Sequence, residues 1–171
     1  MAMVVMTLDI SPDLGELSVR CAEFDQFMKD RWDSLAIRID EELGLIHTER
    51  FDQGGPADAP WPPSRRVLEV GGLTLVKTGV LRDSVGPGAP LFGVRRMTKG
   101  EELSLMFGTN VEYGVTHQFG YPPRNIPARP FLGVEQTQMG RIHAIGESWA
   151  VEILQEYITY LDNTPDGGPA A

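Results

Sequence analysis

A single cysteine, Cys21, stands among 171 residues, so no intrachain disulfide framework is available and packing alone must hold the fold. Cys21 falls on an apolar helical stripe and reads as a buried, reduced thiol of a protein folded in a cytoplasm. Positive charge is also scarce, with 15 Lys and Arg against 24 Asp and Glu and a formal net charge of −9. That balance excludes a tight grip on nucleic acid, which needs clustered cations facing phosphates. The pairs Arg65-Arg66 and Arg95-Arg96 are too small to serve. Long apolar runs are missing as well. The opening MAMVVMTLDI has no basic flank, and its apolar stretch is too short for a signal peptide or a bilayer span, so neither export nor a membrane partner is expected.

Chemistry-bearing constellations are equally sparse. The three histidines, His47, His117 and His143, sit on different predicted elements without ligand spacing, so neither a metal nor a cofactor is expected. There is no Gly-x-Ser-x-Gly elbow, and Gly86-Pro87-Gly88 lacks the lysine and helix start of a phosphate-binding loop. Carboxylates occur mainly as helix-face pairs such as Glu41-Glu42 and Glu101-Glu102, which read as solvated surface rather than a catalytic pair. No enzymatic activity is expected and no catalytic residue is assigned.

What is present suits one soluble globular domain: 42% hydrophobic and 23% charged residues. Residues 4–10 read as a short strand. Ser11 as N-cap and Pro12 at the first helical position open a long helix. Its stripe is Leu17, Cys21, Phe24, Met28, Trp32, Leu35, Ile39, Leu43 and Ile46, at steps of three or four. A straight rod of that length would outrun so small a domain, so either the helix breaks near Asp33-Ser34 or its end projects toward another subunit. Residues 52–66, DQGGPADAPWPPSRR, hold four prolines and form an arm. Then VLEV, Gly71-Gly72 and LTLV predict a β-hairpin, and Thr78 an N-cap for a short helix to Val85. A second hairpin is predicted from 91–97 and 102–108, and a helix over 112–119 stopped by a left-handed Gly120. A final helix over 135–161 carries Ile142, Ile145, Trp149, Ile153, Tyr157 and Leu161. The expected fold is α+β, an antiparallel sheet packed against the long N-terminal helix and the C-terminal helix, with extended Pro/Gly-rich arms at 52–66 and 120–130. It occupies residues 1–162 as one domain, and 163–171 are a disordered tail.

Aromatic residues cluster where proline and glycine are dense. Trp61, Tyr113, Phe119, Tyr121 and Phe131 either close the ends of the domain's own core or insert into a neighbouring copy. His117, next to Gln118 and Phe119, is expected as the hydrogen-bonding residue that fixes the base of the 120–130 loop. In Arg129-Pro130-Phe131, Pro130 holds Arg129 extended, Phe131 is buried, and the guanidinium is free to grip a carboxylate or backbone carbonyls.

The segments PWPPSR, LVKTGVLRDSV, GTNVEYGVTHQFG and NIPARPFLG, in this order, resemble the phage virion morphogenesis family, the tail-completion or neck proteins of Mu-like and related tailed phages. Trp61 matches that family's first motif, and Thr78, Gly79, Leu81 and Ser84 the second. Tyr113, His117, Gln118 and Gly120 match the third, and Pro127 to Leu132 the fourth. The chain departs at Gly114, where the family usually has alanine, and at Pro63, where leucine often follows the tryptophan. The lysine-rich stretch before Thr-Gly is shortened here to a Gly-Gly turn. The resemblance implies a structural virion protein assembled in the host cytoplasm. It would form a homo-oligomeric ring at the head–tail junction, join neck, connector and tail proteins, and act late in assembly. DNA would pass through the lumen without specific binding, which the negative charge favours. A tail terminator is the nearest alternative. A cytoplasmic enzyme or ligand-binding domain with a pocket near His117 and Arg129 is the alternative from another class.

Overall fold

The computed structural model describes residues 14–88, 93–99 and 103–163. In chain order these form α1 (Leu14–Lys29), α2 (Trp32–Gln53), α3 (Arg65–Val70), α4 (Val80–Asp83), β1 (Gly93–Thr98), β2 (Ser104–Thr109), α5 (Gly114–Phe119), a 3-10 turn (Pro122–Arg124) and α6 (Gln136–Asn163). The chain divides into two compact units, Trp32–Val151 and the segments ending at Arg31 and beginning at Glu152. The expected strand at 4–10, the Ser11-Pro12 helix start and the tail beyond Asn163 lie outside the described residues.

The α+β expectation is overturned. The structure is 60% helix and 7% strand, which leaves too little strand for a sheet layer over the long helices. Among the described residues the strands form one antiparallel hairpin, with Gly93 opposite Thr109 and Thr98 opposite Ser104. The second predicted hairpin is therefore present and the first is not. VLEV is helical because its ends are fixed locally. Ser64 caps α3 by accepting from the Val67 N–H, and Gly71 at φ 76 stops it. An Arg65–Glu69 pair at 2.7 Å spans one turn. Gly71 and Gly72 do take positive φ, but as a helix stop rather than a hairpin turn. At α4 the N-cap is Gly79 in the left-handed region, not Thr78. Gly120 ends α5 at φ 78, with an extended ψ of 171 rather than the left-handed conformation expected.

The long N-terminal helix is broken, at Asp30-Arg31 rather than near Asp33-Ser34. Arg31 is held there by its own unit. Its guanidinium lies 3.4 Å over the Phe27 ring, and Nε donates to Glu156 Oε2 at 2.8 Å. In that smaller unit Phe24 and Phe27 of α1 pack on Tyr157 at centroid distances of 4.9 and 5.1 Å. Burial raises the Tyr157 phenol above its usual pKa. Cys21 is exposed, which corrects the buried reading.

The larger unit is built on α2, whose buried side carries Ala36, Gly44, Ile46, His47, Arg50 and Phe51. Its core gathers Phe51, Trp61, Leu81, Val85, Val111 and Phe131. The first half of α6 is tied to α2 by Arg141, which pairs with Glu42 and donates to both oxygens of Glu49 at 2.7 and 3.2 Å. The apolar stripe of α6 is real, and Trp149, Ile153 and Tyr157 are buried. Trp149 Nε1 donates to Ser34 Oγ at 2.9 Å.

Candidate functional site

Proline-rich backbone has few N–H groups but keeps its carbonyls, so such a segment is held by donors that come to it. The segment around Trp61 is fastened this way. Trp61, 6% exposed, donates through Nε1 to the Pro130 carbonyl at 3.1 Å and meets Phe51 edge-on at 5.4 Å. Arg129, 5% exposed, donates from Nε to the Pro62 carbonyl at 2.9 Å. A longer contact of 3.5 Å reaches the Pro63 carbonyl. Its backbone N–H donates to the His117 carbonyl at 2.7 Å. The guanidinium thus takes the second of its two expected partners, backbone carbonyls rather than a carboxylate, and they belong to its own chain. Burial lowers its pKa. The two segments expected to be extended arms are clasped to each other.

Gln118 completes the clasp. Its Oε1 accepts from the N–H groups of Phe131 and Leu132 at 2.9 and 3.0 Å, and Nε2 donates to the Leu132 carbonyl at 3.1 Å. Phe131, 1% exposed, packs on Phe51 at 5.6 Å. Ser84 of the second motif is also internal. Its hydroxyl lies 2.7 Å from both the Leu81 carbonyl and Thr109 Oγ1, while Thr109 Oγ1 accepts from the Val111 N–H. That fixes one donor order: Ser84 to Leu81, Thr109 to Ser84, Val111 to Thr109.

The nine candidate residues therefore separate. Trp61, Gln118, Arg129 and Phe131 converge in the clasp, with Pro130 supplying a carbonyl. Tyr113, Phe119 and Tyr121 are exposed, Phe119 by 75%, with Val115 beside them. His117 lies between, its Nδ1 buried and without a hydrogen-bond partner among the described residues. Burial, then the nearby Arg129 charge, lowers its pKa. It lines a cavity of about 520 Å³ with Arg66, Lys77, Thr78 and Tyr113, and Arg129 is not among the lining residues.

Sequence reasoning missed Arg50 and His47. Arg50 donates to the Phe131 carbonyl and to Glu135 at 3.4 and 3.1 Å, and His47 Nε2 accepts from the Gly133 N–H at 3.2 Å. Both lie one helical turn or less from Phe51 and Ile46 on α2, which was the available signal. Among the described residues no group of three or more His, Cys, Asp and Glu is placed to hold a metal. No helix among them is long and apolar enough to cross a membrane.

The clasp leaves aromatic side chains outside, a residue type enriched in protein–protein contacts. The phage virion morphogenesis family matches residues 23–149, well over half of the chain, and the chain belongs to that family. No curated protein and no solved structure matches it significantly. The protein is a structural, morphogenetic component of a phage virion and interacts with other virion proteins.

Proposed function

We propose that this chain is a ring-forming neck or tail-completion subunit at the head–tail junction, required late in tail assembly and for joining head to tail. The observation that carries the reading is the pairing of a fixed backbone with exposed rings. Gly120 and Arg129 are held by hydrogen-bonded or closely packed neighbours, while Phe119 and Tyr121 stand 75% and 44% exposed on the same loop. Rings carried on an already ordered backbone leave less entropy to be lost on docking, and aromatics are enriched at interface centres. Each copy carries net charge −9, so a lumen lined by such copies would let DNA slide without gripping its phosphates.

The test is complementation of a phage lacking this gene. Wild-type protein is expected to restore joined particles, and Phe119→Ala with Tyr121→Ala to leave heads and tails separate while the purified variant stays folded. Native mass spectrometry of the wild-type protein, alone and with its neck partners, should show a closed ring. Normal particles from the double variant, or no ring in any mixture, would refute the reading. A tail terminator would form a comparable ring but be found on tails that never met a head.

A further inference from the structure

On a chain with 24 Asp and Glu, the cavity beside His117 is lined without a carboxylate. It is lined by Ser64, Arg66, Leu75, Lys77 and Thr78 together with Tyr113, the N-cap of α5, and His117 within α5. The remaining described cavities all carry acids: Asp33, Asp40 and Glu41 in one, Glu152 and Glu156 in another, Glu23 and Asp30 in a third. The Arg66 guanidinium is held by the Gly71 and Leu73 carbonyls at 3.2 and 2.6 Å. Its position is therefore set before any ligand arrives. Lys77 is exposed, and no ion pair to it is formed among the described residues. Leu75 holds φ at 64, a conformation a leucine keeps only when its surroundings enforce it. His117 brings a buried nitrogen without a partner among the described residues.

We propose that this cavity receives an Asp or Glu side chain from a second copy of the chain, an inference that rests on the ring reading. Copies of charge −9 repel as they approach, so a contact between them needs a site where a carboxylate of one meets cations of the other. The cavity provides that site and holds no acid of its own. The incoming carboxylate then comes from outside the cavity on the neighbour, and in a ring the contact repeats head to tail from copy to copy. Duplex DNA is disfavoured because one concave pocket with Arg66 and Lys77 cannot follow a regular array of phosphates.

Two measurements test it. First, acetyl-Glu-Glu-Glu-amide is titrated into the full-length protein while the His117 imidazole is followed by NMR. A saturable shift and a raised His117 pKa are expected, with binding weakened about tenfold or more in Lys77→Glu and kept in Lys77→Arg. Second, ring formation of the full chain is compared across the same variants. Lys77→Glu should lower the ring population by a similar factor with its circular dichroism unchanged, and Lys77→Arg should not. No saturable peptide binding, or equal binding of a DNA duplex, overturns the carboxylate assignment. A ring that persists in Lys77→Glu overturns the second copy as its source and leaves the ring reading standing. A wild-type chain that never forms a ring defeats that reading, and the second-copy source with it.

Discussion

Replacing Gln118 probes the clasp at its most connected point. One side-chain amide there serves three backbone groups, accepting from Phe131 and Leu132 and donating to Leu132. Phe131 is 1% exposed, so water does not readily take over its N–H. Gln118→Leu keeps the bulk and removes all three bonds. At about 1 kcal/mol net for each, and more for a group left buried without a partner, the loss is roughly 3 kcal/mol. Gln118→Glu keeps both accepted bonds but turns a carboxylate oxygen toward the Leu132 carbonyl, so about 1–3 kcal/mol is lost at neutral pH. Protonating that carboxyl restores a donor, so the deficit of Gln118→Glu should shrink as pH falls, whereas that of Gln118→Leu should not. Urea unfolding at 25 °C, with the slope checked for constancy, measures both. If Gln118→Leu stays within about 0.5 kcal/mol of wild type, as an ordinary surface change does, the segment after Pro130 is held by something else.

Two glycines should respond to alanine with opposite signs. A methyl at Gly44 would run into the backbone of Gly86 and Pro87, whereas at Gly114 it meets Thr109, Leu81 and Phe131 at 3.3–3.5 Å. Helix propensity favours alanine by about 1 kcal/mol inside α2 and by less at Gly114, the first residue of α5, so Gly114→Ala should gain up to ~0.5 kcal/mol by thermal unfolding, and Gly44→Ala should lose about 1–3 kcal/mol to overpacking. Phe131→Ala should cost ~3–5 kcal/mol, and Phe119→Ala should stay within about 0.5 kcal/mol, which urea titration would separate. His117 has a lowered folded pKa, so its contribution is present above the unfolded value near 6.5 and is lost as pH falls through the folded value. Stability of the wild type relative to His117→Gln should therefore drop on acidification through that window, and a flat difference would contradict a buried neutral ring.

Much of the helical architecture was legible because its signal is periodic. The α6 stripe through Trp149, Ile153 and Tyr157 predicts the face that is buried, and the break at Thr98-Lys99-Gly100-Glu101 separates the two apolar-rich runs that contain β1 and β2. The failures arise where local chemistry outweighs pattern. Val67 and Val70 look like strand residues, yet Ser64, Gly71 and the Arg65–Glu69 pair cap and brace one helical turn. Irregular backbone is expected over 52–66, whereas α2 runs on to Gln53 and α3 begins at Arg65; the stretch between is irregular, but irregular is not unfastened. The carbonyls that prolines leave open are satisfied by Trp61, reaching Pro130, and by Arg129, reaching Pro62, across nearly seventy residues of sequence. No spacing rule reports a contact of that range. Cys21 fails for a simpler reason, since a stripe names a face but not how far along it the covering rings extend.

The signature motifs acquire a different meaning once their side chains are placed. Trp61, Ser84, Gln118, Arg129 and Phe131 all face inward and are occupied by this chain's own carbonyls, N–H groups and rings. Residues engaged in that way specify the clasp. On the proposed reading, partner choice falls to exposed side chains, Phe119, Tyr121 and Val115 on α5 and its following loop, and Lys77 at the rim of the acid-free cavity. Exchanging those four for the residues of another family member should transfer partner preference with little change in stability. Exchanging clasp residues singly should lower the stability of the larger unit and leave partner preference unchanged wherever the chain stays folded. If clasp substitutions altered partner choice in a chain that remained folded, the division between fastening and recognition would be wrong.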